Sequence, residues 1–555
     1  MSPPAPYAHG MAVPDRLHAV SVQIASWQDV CAIAVADEEA LKTLRNGYPR
    51  SYVHKSIRAL IAACEREFSL RGRTLMLFSN PVAARGCRAY MSSTARHGAS
   101  AALPESISLC RIEFGTATMP EHKLHLPPLY AAIYPPHLSR AASLFWRLTG
   151  TGISSRQAGR CLQALDRIRQ VDEKVEGAMS LAVSNPSHSA YDLIRARLAL
   201  LAERAPVGGA RARKVTGEDV HLYPSGMSAI YHTHHLLLDW RGAESIVMGF
   251  TYELTMKMME AFGPSYRFFS GGTDGEMDEF ERHLEATAER GATIQAVWCE
   301  CASNPLLRTT DLARLRRLAD KYDFVLVVDD TIGTCANVDV LSVADIVVTS
   351  LTKWFNGFAD VLAGSIILNP NSAHYGELKG ILDGSYVNNL HVDDAAQLEK
   401  NSRDFLQRVA RVNETAEHLV DRMVPLAADP RSIVSKVYYP KLCWSAANYR
   451  ARMRPATDEF APGYGGLFTI EFDTVRAAAR FLDAVPLHKG PSIGANVTLV
   501  LPYVQMVFQT EKEWAARNGV NETIVRISVG LEDREALLRC ILLALEEAEQ
   551  LQARL

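Results

Sequence analysis

Short apolar runs alternate with segments of helical periodicity between residues 220 and 349, and this alternation constrains the fold more than any other feature. Runs typical of buried strands occupy 220–222, 245–248, 266–269, 294–298, 324–328 and 346–349. Helical spacing of apolar residues separates most of them, at 228–238, 256–262, 276–290 and 310–321. Strands joined by such helices form a mostly parallel, doubly wound sheet, and their carboxyl ends meet at one edge. Because ligands of open α/β sheets bind at that edge, we expect the functional site there.

Polar residues directly follow two of these strands. Asp329 follows the run at 324–328, and Ser350, Thr352 and Lys353 follow the run at 346–349. A partly buried lysine has a lowered pKa and can act as an imine-forming amine. An aspartate at a neighbouring strand end can pair with a protonated pyridine nitrogen. Each residue alone occurs more often in a structural network, but the combination favours a site for pyridoxal 5'-phosphate.

A turn of small residues before the helix at 228–238 predicts an anion site. Ser225, Gly226 and Met227 form this turn. The free backbone N–H groups and the positive dipole end of a helix N-terminus attract anions. With the hydroxyls of Ser350 and Thr352, this turn would hold the phosphate of the cofactor.

A chain of 555 residues is too long for one compact core, so several domains are expected. We predict a disordered tail at 1–16, an N-terminal accessory region at 17–125, a helical segment with a glycine loop at 126–205, a pyridoxal-phosphate-binding domain at 206–392 and a smaller C-terminal α/β domain at 393–555. Within these regions, apolar spacing predicts a helix over 162–175 and one long helix over 393–423.

Composition and spacing exclude several classes of function. The formal net charge of −3, without a long basic run, argues against a nucleic-acid partner. The sequence has neither a signal-peptide core nor an apolar run long enough for a bilayer, so we expect a cytoplasmic protein with no membrane partner. Neither the ten cysteines nor the histidines at 232, 234 and 235 have metal-ligand spacing, so no metal is expected. The GTG at 150–152 lacks the rest of a dinucleotide fingerprint, which argues against a nicotinamide oxidoreductase.

Several segments resemble one enzyme family. They are SGMSAI (225–230), ECASNPLLR (300–308), VVDDT (327–331), SLTK (350–353), DVLAG (360–364) and VRISVGLE (525–532). The sequence is similar here to the cystathionine γ-synthase family, the Cys/Met metabolism group of fold type I pyridoxal-phosphate enzymes. NGYPR (46–50), FWRLTGTGISSR (145–156) and GPSIGANVTLVLPY (490–503) extend the resemblance to the long fungal members, which carry an amino-terminal region that short bacterial members lack.

The resemblance implies a role for each residue that matches a family motif. Lys353 would bond to the cofactor as an imine and move protons, and Asp329 would pair with the pyridinium nitrogen. The phosphate would be bound by Ser225, Gly226, Met227, Ser350 and Thr352. Tyr252 is the first candidate for the aromatic ring that stacks on the cofactor, and Phe250 is the second.

The resemblance also implies substrate contacts and an oligomer. Arg526 would grip the substrate α-carboxylate as a bidentate fork, with Ser492 and Asn304 as supporting polar contacts. Arg156 resembles the family arginine that reaches the cofactor phosphate of a neighbouring subunit, so the loop within 126–205 would cross between subunits. We therefore expect a homodimer or homotetramer with shared active sites.

The implied activity is γ-replacement on an activated homoserine, O-acetyl-L-homoserine first, with L-cysteine as the nucleophile and cystathionine as the product. Leu148 and Thr151 stand where polar residues are expected in housekeeping fungal members. This departure leaves open another nucleophile, such as sulfide, an amine or a carbon acid, in a specialised biosynthetic pathway. A catalytically silent regulatory relative is the alternative from a different class.

Overall fold

The computed structural model describes residues 7–46, 52–114, 117–118, 123–124, 126–165, 168–172 and 187–553. The strands are β1 (Ala12–Val13), β2 (Ser21–Val22), β3 (Thr74–Phe78), β4 (Ser108–Phe114), β5 (Ala117–Thr118), β6 (Lys123–Leu124), β7 (Leu129–Tyr134), β8 (Ile168–Asp172), β9 (Val220–Tyr223), β10 (Glu244–Met248), β11 (Tyr266–Phe269), β12 (Ile294–Glu300), β13 (Val325–Asp329), β14 (Ile346–Thr349), β15 (Gly364–Leu368), β16 (Val434–Tyr438), β17 (Leu467–Phe472), β18 (His488–Lys489), β19 (Leu499–Pro502) and β20 (Ile524–Ser528).

The helices cover both faces of the main sheets. They are α1 (Trp27–Ala34), α2 (Glu38–Lys42), α3 (Lys55–Glu67), α4 (Pro81–Met91), α5 (Thr94–His97), α6 (Ser139–Thr149), α7 (Ser155–Leu162), α8 (Ser189–Glu203), α9 (Gly226–Trp240), α10 (Glu253–Phe262), α11 (Asp274–Glu289), α12 (Leu312–Tyr322), α13 (Thr334–Asn337), α14 (Tyr375–Ser385), α15 (Val392–Asn401), α16 (Phe405–Ala428), α17 (Ala446–Arg450), α18 (Val475–Ala484), α19 (Tyr503–Val507), α20 (Lys512–Arg517) and α21 (Arg534–Ala553).

The largest sheet has seven strands in the order β11-β10-β12-β13-β14-β15-β9. Its strands are parallel except β15, which runs antiparallel to both of its neighbours. The first four residues of β13 are fully buried, as expected of a strand covered by helices on both faces. The predicted mostly parallel α/β sheet is confirmed, and the carboxyl ends of β12, β13 and β14 lie side by side.

The C-terminal region forms a second, smaller sheet in the order β16-β17-β20-β19-β18. Its pairs are antiparallel apart from β18 with β19. The single helix predicted over 393–423 is wrong, because α15 ends at Asn401 and α16 begins at Phe405. The Arg408 guanidinium explains the break, since it donates to the Asn401 carbonyl at 2.9 Å and its Nε donates to Asp404 at 2.8 Å.

A four-stranded antiparallel sheet in the order β3-β7-β4-β8 forms the N-terminal region. The predicted boundary at 125 is therefore wrong, because β7 lies between β3 and β4 in one sheet. The helix predicted over 162–175 is also wrong: α7 ends at Leu162, and β8 pairs with β4 from Ile168 to Asp172. Pairing with a sheet partner overrides the helical spacing of the apolar residues there. Residues 166–167 and 173–175 of that segment lie outside the described residues.

Helices pack on both faces of this N-terminal sheet. On one face, Leu60 of α3 and Cys161 of α7 share a core with Leu77 of β3. On the other face, Phe145 of α6 shares a core with Met227 of α9, next to the central sheet. The N-terminal region therefore reaches the edge of the central sheet through α6.

The disordered tail predicted at 1–16 is wrong for residues 7–16, and residues 1–6 lie outside the described residues. Strand β1 pairs with β2, and Val13 is 1% exposed. The Gly10 amide donates to the Gln23 carbonyl at 2.8 Å, which ties the segment down. Residues 47–50 of the NGYPR motif also lie outside the described residues.

Two further observations concern the cysteines and the helices. All ten cysteines are free thiols. No helix in the described part of the chain has the length and apolarity needed to cross a membrane.

Candidate active site

A cavity of about 620 Å³, including its open mouth, lies at the carboxyl edge of the central sheet. We call it the first cavity. It is lined by Gly226, Met227, Ile230, Tyr252, Glu300, Ala302, Asn304, Asp329, Thr331, Ile332, Ser350, Lys353, Pro491, Ile493 and Arg526. The central sheet, helix α9 and the C-terminal sheet therefore all contribute to one site, at the edge that the sequence predicted.

Lys353 lies in the turn after β14 and lines the first cavity. Its Nζ donates to the Ser492 Oγ at 3.1 Å, which places the predicted substrate contact beside the amine. Gly494 has a φ of +70° and passes so close that an added Cβ would meet the Trp354 amide nitrogen at 2.5 Å. Only glycine allows this approach, which holds the backbone of the lysine turn in place.

Two carboxyl groups lie next to each other at the ends of β12 and β13. Glu300 and Asp329 are register partners, and both line the cavity. Burial raises the pKa of Asp329. Burial and the neighbouring Asp329 raise the pKa of Glu300 well above its usual range. A cationic ring nitrogen beside Asp329 would stabilise the ionised form of this carboxyl, as pyridoxal phosphate requires.

Glu300 is a site residue that the sequence analysis missed. Its carboxylate accepts the Tyr252 amide at 2.6 Å and the Asn304 amide at 3.1 Å. It therefore fixes two backbone segments of the cavity wall. The sequence contained a signal for Glu300. This acid follows the apolar run at 294–298 and Cys299, just as Asp329 follows the next apolar run at 324–328.

The predicted phosphate residues divide into two groups. Gly226, Met227 and Ser350 line the first cavity, at the N-terminus of α9. A Cβ on Gly226 would come within 2.7 Å of the Ser350 Cβ, so this contact requires glycine. Ser225 and Thr352 do not line the first cavity, and their phosphate roles stay predictions.

The hydroxyls of Ser225 and Thr352 have structural hydrogen bonds. The Ser225 Oγ accepts the Ser228 amide at 3.0 Å, which caps α9. It also donates to the Gly150 carbonyl at 3.1 Å and so joins α9 to the N-terminal loop. The Thr352 Oγ1 donates to the Ala363 carbonyl at 3.1 Å and accepts the Ala363 amide at 3.0 Å.

Arg526 enters the first cavity from β20 and is 4% exposed. It donates to the Asn304 Oδ1 at 3.0 Å and to the Pro491 carbonyl at 3.1 Å. Its guanidinium also lies 5.0 Å from the centre of the Tyr503 ring. These contacts orient the planar guanidinium of Arg526. Asn304 and Lys353 line the same cavity.

The two aromatic candidates have different positions. Tyr252 lines the first cavity, whereas Phe250 does not. Phe250 is 2% exposed and packs against the rings of Phe268, Phe508 and Trp514. Of these two residues, only Tyr252 is placed to contact a cofactor in the cavity.

Arg156 lies at the start of α7 and outside the wall of the first cavity of its own chain. It donates to the Asp394 Oδ1 at 3.0 Å and to the Asp360 carbonyl. Both carboxylates are almost fully buried. The contact of Arg156 with a neighbouring subunit's phosphate stays a prediction.

Comparison with known proteins identifies the family. Residues 212–546 match the family described as Cys/Met metabolism PLP-dependent enzyme, and residues 56–154 match the fungal trans-sulfuration enzyme N-terminal domain. The chain belongs to the Cys/Met metabolism PLP-dependent enzyme family. Its cofactor is pyridoxal phosphate, and the buried Asp329, the lysine amine and the helix N-terminus in the first cavity fit that group.

Three relatives of this Cys/Met enzyme match almost the whole chain. A protein named alanine racemase ungC from Aspergillus violaceofuscus is 39% identical and covers 97% of this chain and 96% of its own. The cystathionine gamma-synthase-like enzyme iboG2 from Amanita muscaria is 35% identical, covering 98% and 96%. A cystathionine gamma-synthase from Neurospora crassa is 32% identical, covering 98% and 99%.

A solved structure supports the fold of this Cys/Met enzyme. The crystal structure of metB from Corynebacterium glutamicum has a TM-score of 0.51 and 21% identity, and the match covers 68% of this chain and 90% of that one. Together with the mostly parallel central sheet, this likeness confirms the predicted fold type I architecture. The enzyme is of the cystathionine γ-synthase and lyase type.

Proposed function

We propose that the enzyme catalyses γ-replacement on O-acetyl-L-homoserine, with L-cysteine as the nucleophile and cystathionine as the product. The observation that carries this proposal is the presence of Lys353, Asp329 and Arg526 in one cavity. The relative from Neurospora crassa that is named cystathionine gamma-synthase supports it.

Each residue of the cavity has a task in this reaction. Pyridoxal phosphate, when bound, supplies an electron sink for negative charge at the substrate Cα. Arg526 holds the α-carboxylate, which a bidentate fork orients better than a point charge. The Lys353 amine takes the Cα proton and moves protons at Cβ, and the Ser492 hydroxyl 3.1 Å away holds the amine in position. The Asp329 carboxylate pairs with the protonated ring nitrogen of the cofactor.

The replacement balances in atoms and charge. The bond between Cγ and the ester oxygen breaks, and acetate leaves. A bond between Cγ and the cysteine sulfur forms, and the thiol proton is released. The apolar side chains of Ile230, Ile332 and Ile493 line the same cavity and limit access of water to the reacting carbons.

Alanine racemisation is the second candidate function. It is favoured by the relative named alanine racemase, which is 39% identical over 97% of this chain. Proton removal at Cα by Lys353 is common to both reactions, so the first cavity alone is compatible with either. Racemisation needs a proton returned to the opposite face of Cα, and Tyr252 is a cavity residue with an ionisable group for that task.

Another nucleophile, such as sulfide, an amine or a carbon acid, is the third alternative. The relative named as a cystathionine gamma-synthase-like enzyme is compatible with it. The departure at Leu148 and Thr151 gives this alternative little support, because both residues are buried and neither lines the first cavity.

A product screen on the purified holoenzyme separates these functions. O-acetyl-L-homoserine is supplied alone and with cysteine, sulfide or an amine, and L-alanine is supplied in deuterium oxide. We expect cystathionine with cysteine as the main product by mass spectrometry. Release of 2-oxobutyrate without cystathionine would contradict the proposal, and deuterated D-alanine as the main product would establish the racemase instead.

We also infer a homodimer or homotetramer with shared active sites, and a cytoplasmic location. Arg156 lies at the start of α7, outside the first cavity of its own chain. This position is compatible with a contact to the cofactor phosphate of a neighbouring subunit. Light scattering during size-exclusion chromatography of the holoenzyme tests the assembly. A monomer that is fully active would contradict it.

A further inference from the structure

A second cavity adjoins the first one. The two share Tyr252, Asn304, Pro491 and Arg526 in their walls. The wall of the second cavity also includes Arg147, Glu253, Lys257 and Tyr503. Because the walls are shared, a ligand in the second cavity lies next to a substrate that Arg526 holds in the first.

Arg147 is a cation in the wall of this second cavity. It comes from the last turn of α6, in the N-terminal region. Its Nε is buried and has no hydrogen-bond partner among the described residues. Arg147 lines the cavity, so an anionic group of a ligand there would give its guanidinium a partner. Lys257, in contrast, is already paired with Glu511 at 2.5 Å.

Glu253 provides the opposite charge. It is the first residue of α10 and is 9% exposed, and it lines the same cavity. Negative charge is favourable at this end of the helix. Tyr503 also lines the second cavity, and its hydroxyl accepts the side-chain amide of Asn304, a residue of both cavities, at 3.4 Å. One compartment thus combines a guanidinium and a carboxylate, the pattern that complements a zwitterion.

We propose that the second cavity binds the attacking amino acid as a zwitterion, with its carboxylate on Arg147 and its ammonium group facing Glu253. This inference rests on the proposed γ-replacement and narrows its nucleophile to an amino-acid thiol. Acetate leaves first, with cleavage of the Cγ–O bond; the thiol then adds at Cγ from beside Tyr252, the Cγ–S bond forms, and the thiol proton is released. Sulfide has neither of the two charged groups that the cavity matches.

In this proposal the N-terminal region contributes to substrate binding. Residues 56–154, which match the fungal N-terminal domain, include Arg147. Helix α6 is held against α9 and α10 by buried side chains, among them Phe145 and Met258. The N-terminal region therefore supplies a specificity residue from a rigid helix, as precise positioning requires.

Three thiols test the two charge contacts separately. L-Cysteine carries both charged groups, cysteamine lacks the carboxylate, and 3-mercaptopropionate lacks the ammonium group. Steady-state kinetics are measured with O-acetyl-L-homoserine for the wild-type holoenzyme and Arg147→Met. Arg140→Met is the matched control, because Arg140 lies on the same helix but is exposed and outside the cavity.

We expect Arg147→Met to raise the KM for cysteine and for 3-mercaptopropionate, which both carry the carboxylate, by about tenfold or more, as for loss of a hydrogen bond to a charged group. The KM for cysteamine and the KM for O-acetyl-L-homoserine should stay within about twofold, because neither ligand uses Arg147. Arg140→Met should change none of them. Equal changes for cysteine and cysteamine, or no change, would overturn the inference.

A binding measurement separates this inference from the proposed reaction. Holoenzyme reduced with borohydride cannot exchange the lysine–cofactor bond, so cysteine then binds only non-covalently. Calorimetric titration should show weaker cysteine binding in Arg147→Met and unchanged binding in Arg140→Met. If the wild-type enzyme joins no thiol to the substrate, the proposed function fails, while this titration still decides whether Arg147 binds an amino acid. Identical titrations for both variants and the wild type would overturn the inference.

Discussion

The first cavity and the N-terminal region are built by different kinds of contact. The first cavity depends on strand register, which places Glu300 opposite Asp329 and Asp329 opposite Val348 at adjacent strand ends. The N-terminal region reaches the site through one helix and a loop, with the Gly150 carbonyl on the Ser225 hydroxyl. We infer that the rigid sheet edge determines the reaction class and that the N-terminal region selects the partner substrate.

The two arginines predicted as anion binders show the same contrast. Arg526 lies on a strand of the C-terminal sheet and lines the first cavity. Arg156 lies on α7 between two buried carboxylates, Asp360 and Asp394. A motif match therefore identifies both residues, but only the surroundings show which one can meet a substrate in its own chain.

The largest effect is expected for Lys353→Ala. Loss of the imine-forming amine should lower γ-replacement by at least about 1,000-fold and remove the absorbance band on the order of 420 nm that a protonated imine gives. Exposed Lys214→Ala is the control and should keep both signals. Retained turnover in Lys353→Ala would place the chemistry elsewhere, and an inactive wild-type enzyme without this band would favour a silent regulatory relative.

Arg526→Lys should have the next largest effect. Lysine keeps the charge but loses the fork that Asn304 and Pro491 orient, so kcat/KM for O-acetyl-L-homoserine should fall by about 100-fold. The cofactor absorbance should remain, because Arg526 is assigned to the substrate. A lost absorbance with an unchanged KM would contradict that assignment.

Arg156→Met separates a structural role from a cofactor role. In the cofactor-free protein, removal of the partner of two buried carboxylates should lower the free energy of unfolding by about 3 kcal/mol, measured in urea. Arg160→Met on the same helix, whose pair with Asp393 is more exposed, should cost about 1 kcal/mol or less. Unchanged stability with weakened cofactor binding would show that Arg156 serves only the phosphate.

The last prediction is a pH dependence of stability at Asp330, next to the cavity. Burial, with a contribution from Asp329, raises the pKa of Asp330 to about 7, although the Thr349 hydroxyl donates to it at 2.5 Å. The folded state therefore binds this proton more tightly than the unfolded chain, whose aspartates titrate near about 4. The resulting stability is fully present below about pH 4 and is lost as the pH rises through about 7.

Asp330→Asn removes that titration. In the cofactor-free protein, the variant should gain stability relative to the wild type between pH 4 and pH 8, as followed by urea unfolding at each pH. A difference that shrinks over this range would show that the carboxyl is ionised in the folded state at low pH.

Strands of the central sheet were the most predictable elements. The runs at 266–269 and 346–349 have the predicted bounds, because a short apolar run between helices has few other uses. The segment at 162–175 was wrong because pairing with β4 decides its structure, and that partner is distant in sequence. Local patterns contain no information about such a partner.

The site was predictable where a strand end or a family motif indicated it. Lys353, Asp329 and Arg526 meet in the first cavity as the resemblance implied. Glu300 was missed because a single acid after a strand is common on protein surfaces. Arg147 was missed because its cavity is assembled from α6, α10 and the C-terminal sheet, which only the tertiary structure brings together.

Trapping of the cofactor tests the account most directly. Holoenzyme is reduced with borohydride, digested and mapped by mass spectrometry. The account predicts the pyridoxyl group on the Nζ of Lys353 and no labelled peptide in Lys353→Ala. A pyridoxyl group on another lysine, or an active enzyme with no label at all, would contradict the assignment of the first cavity as the catalytic site.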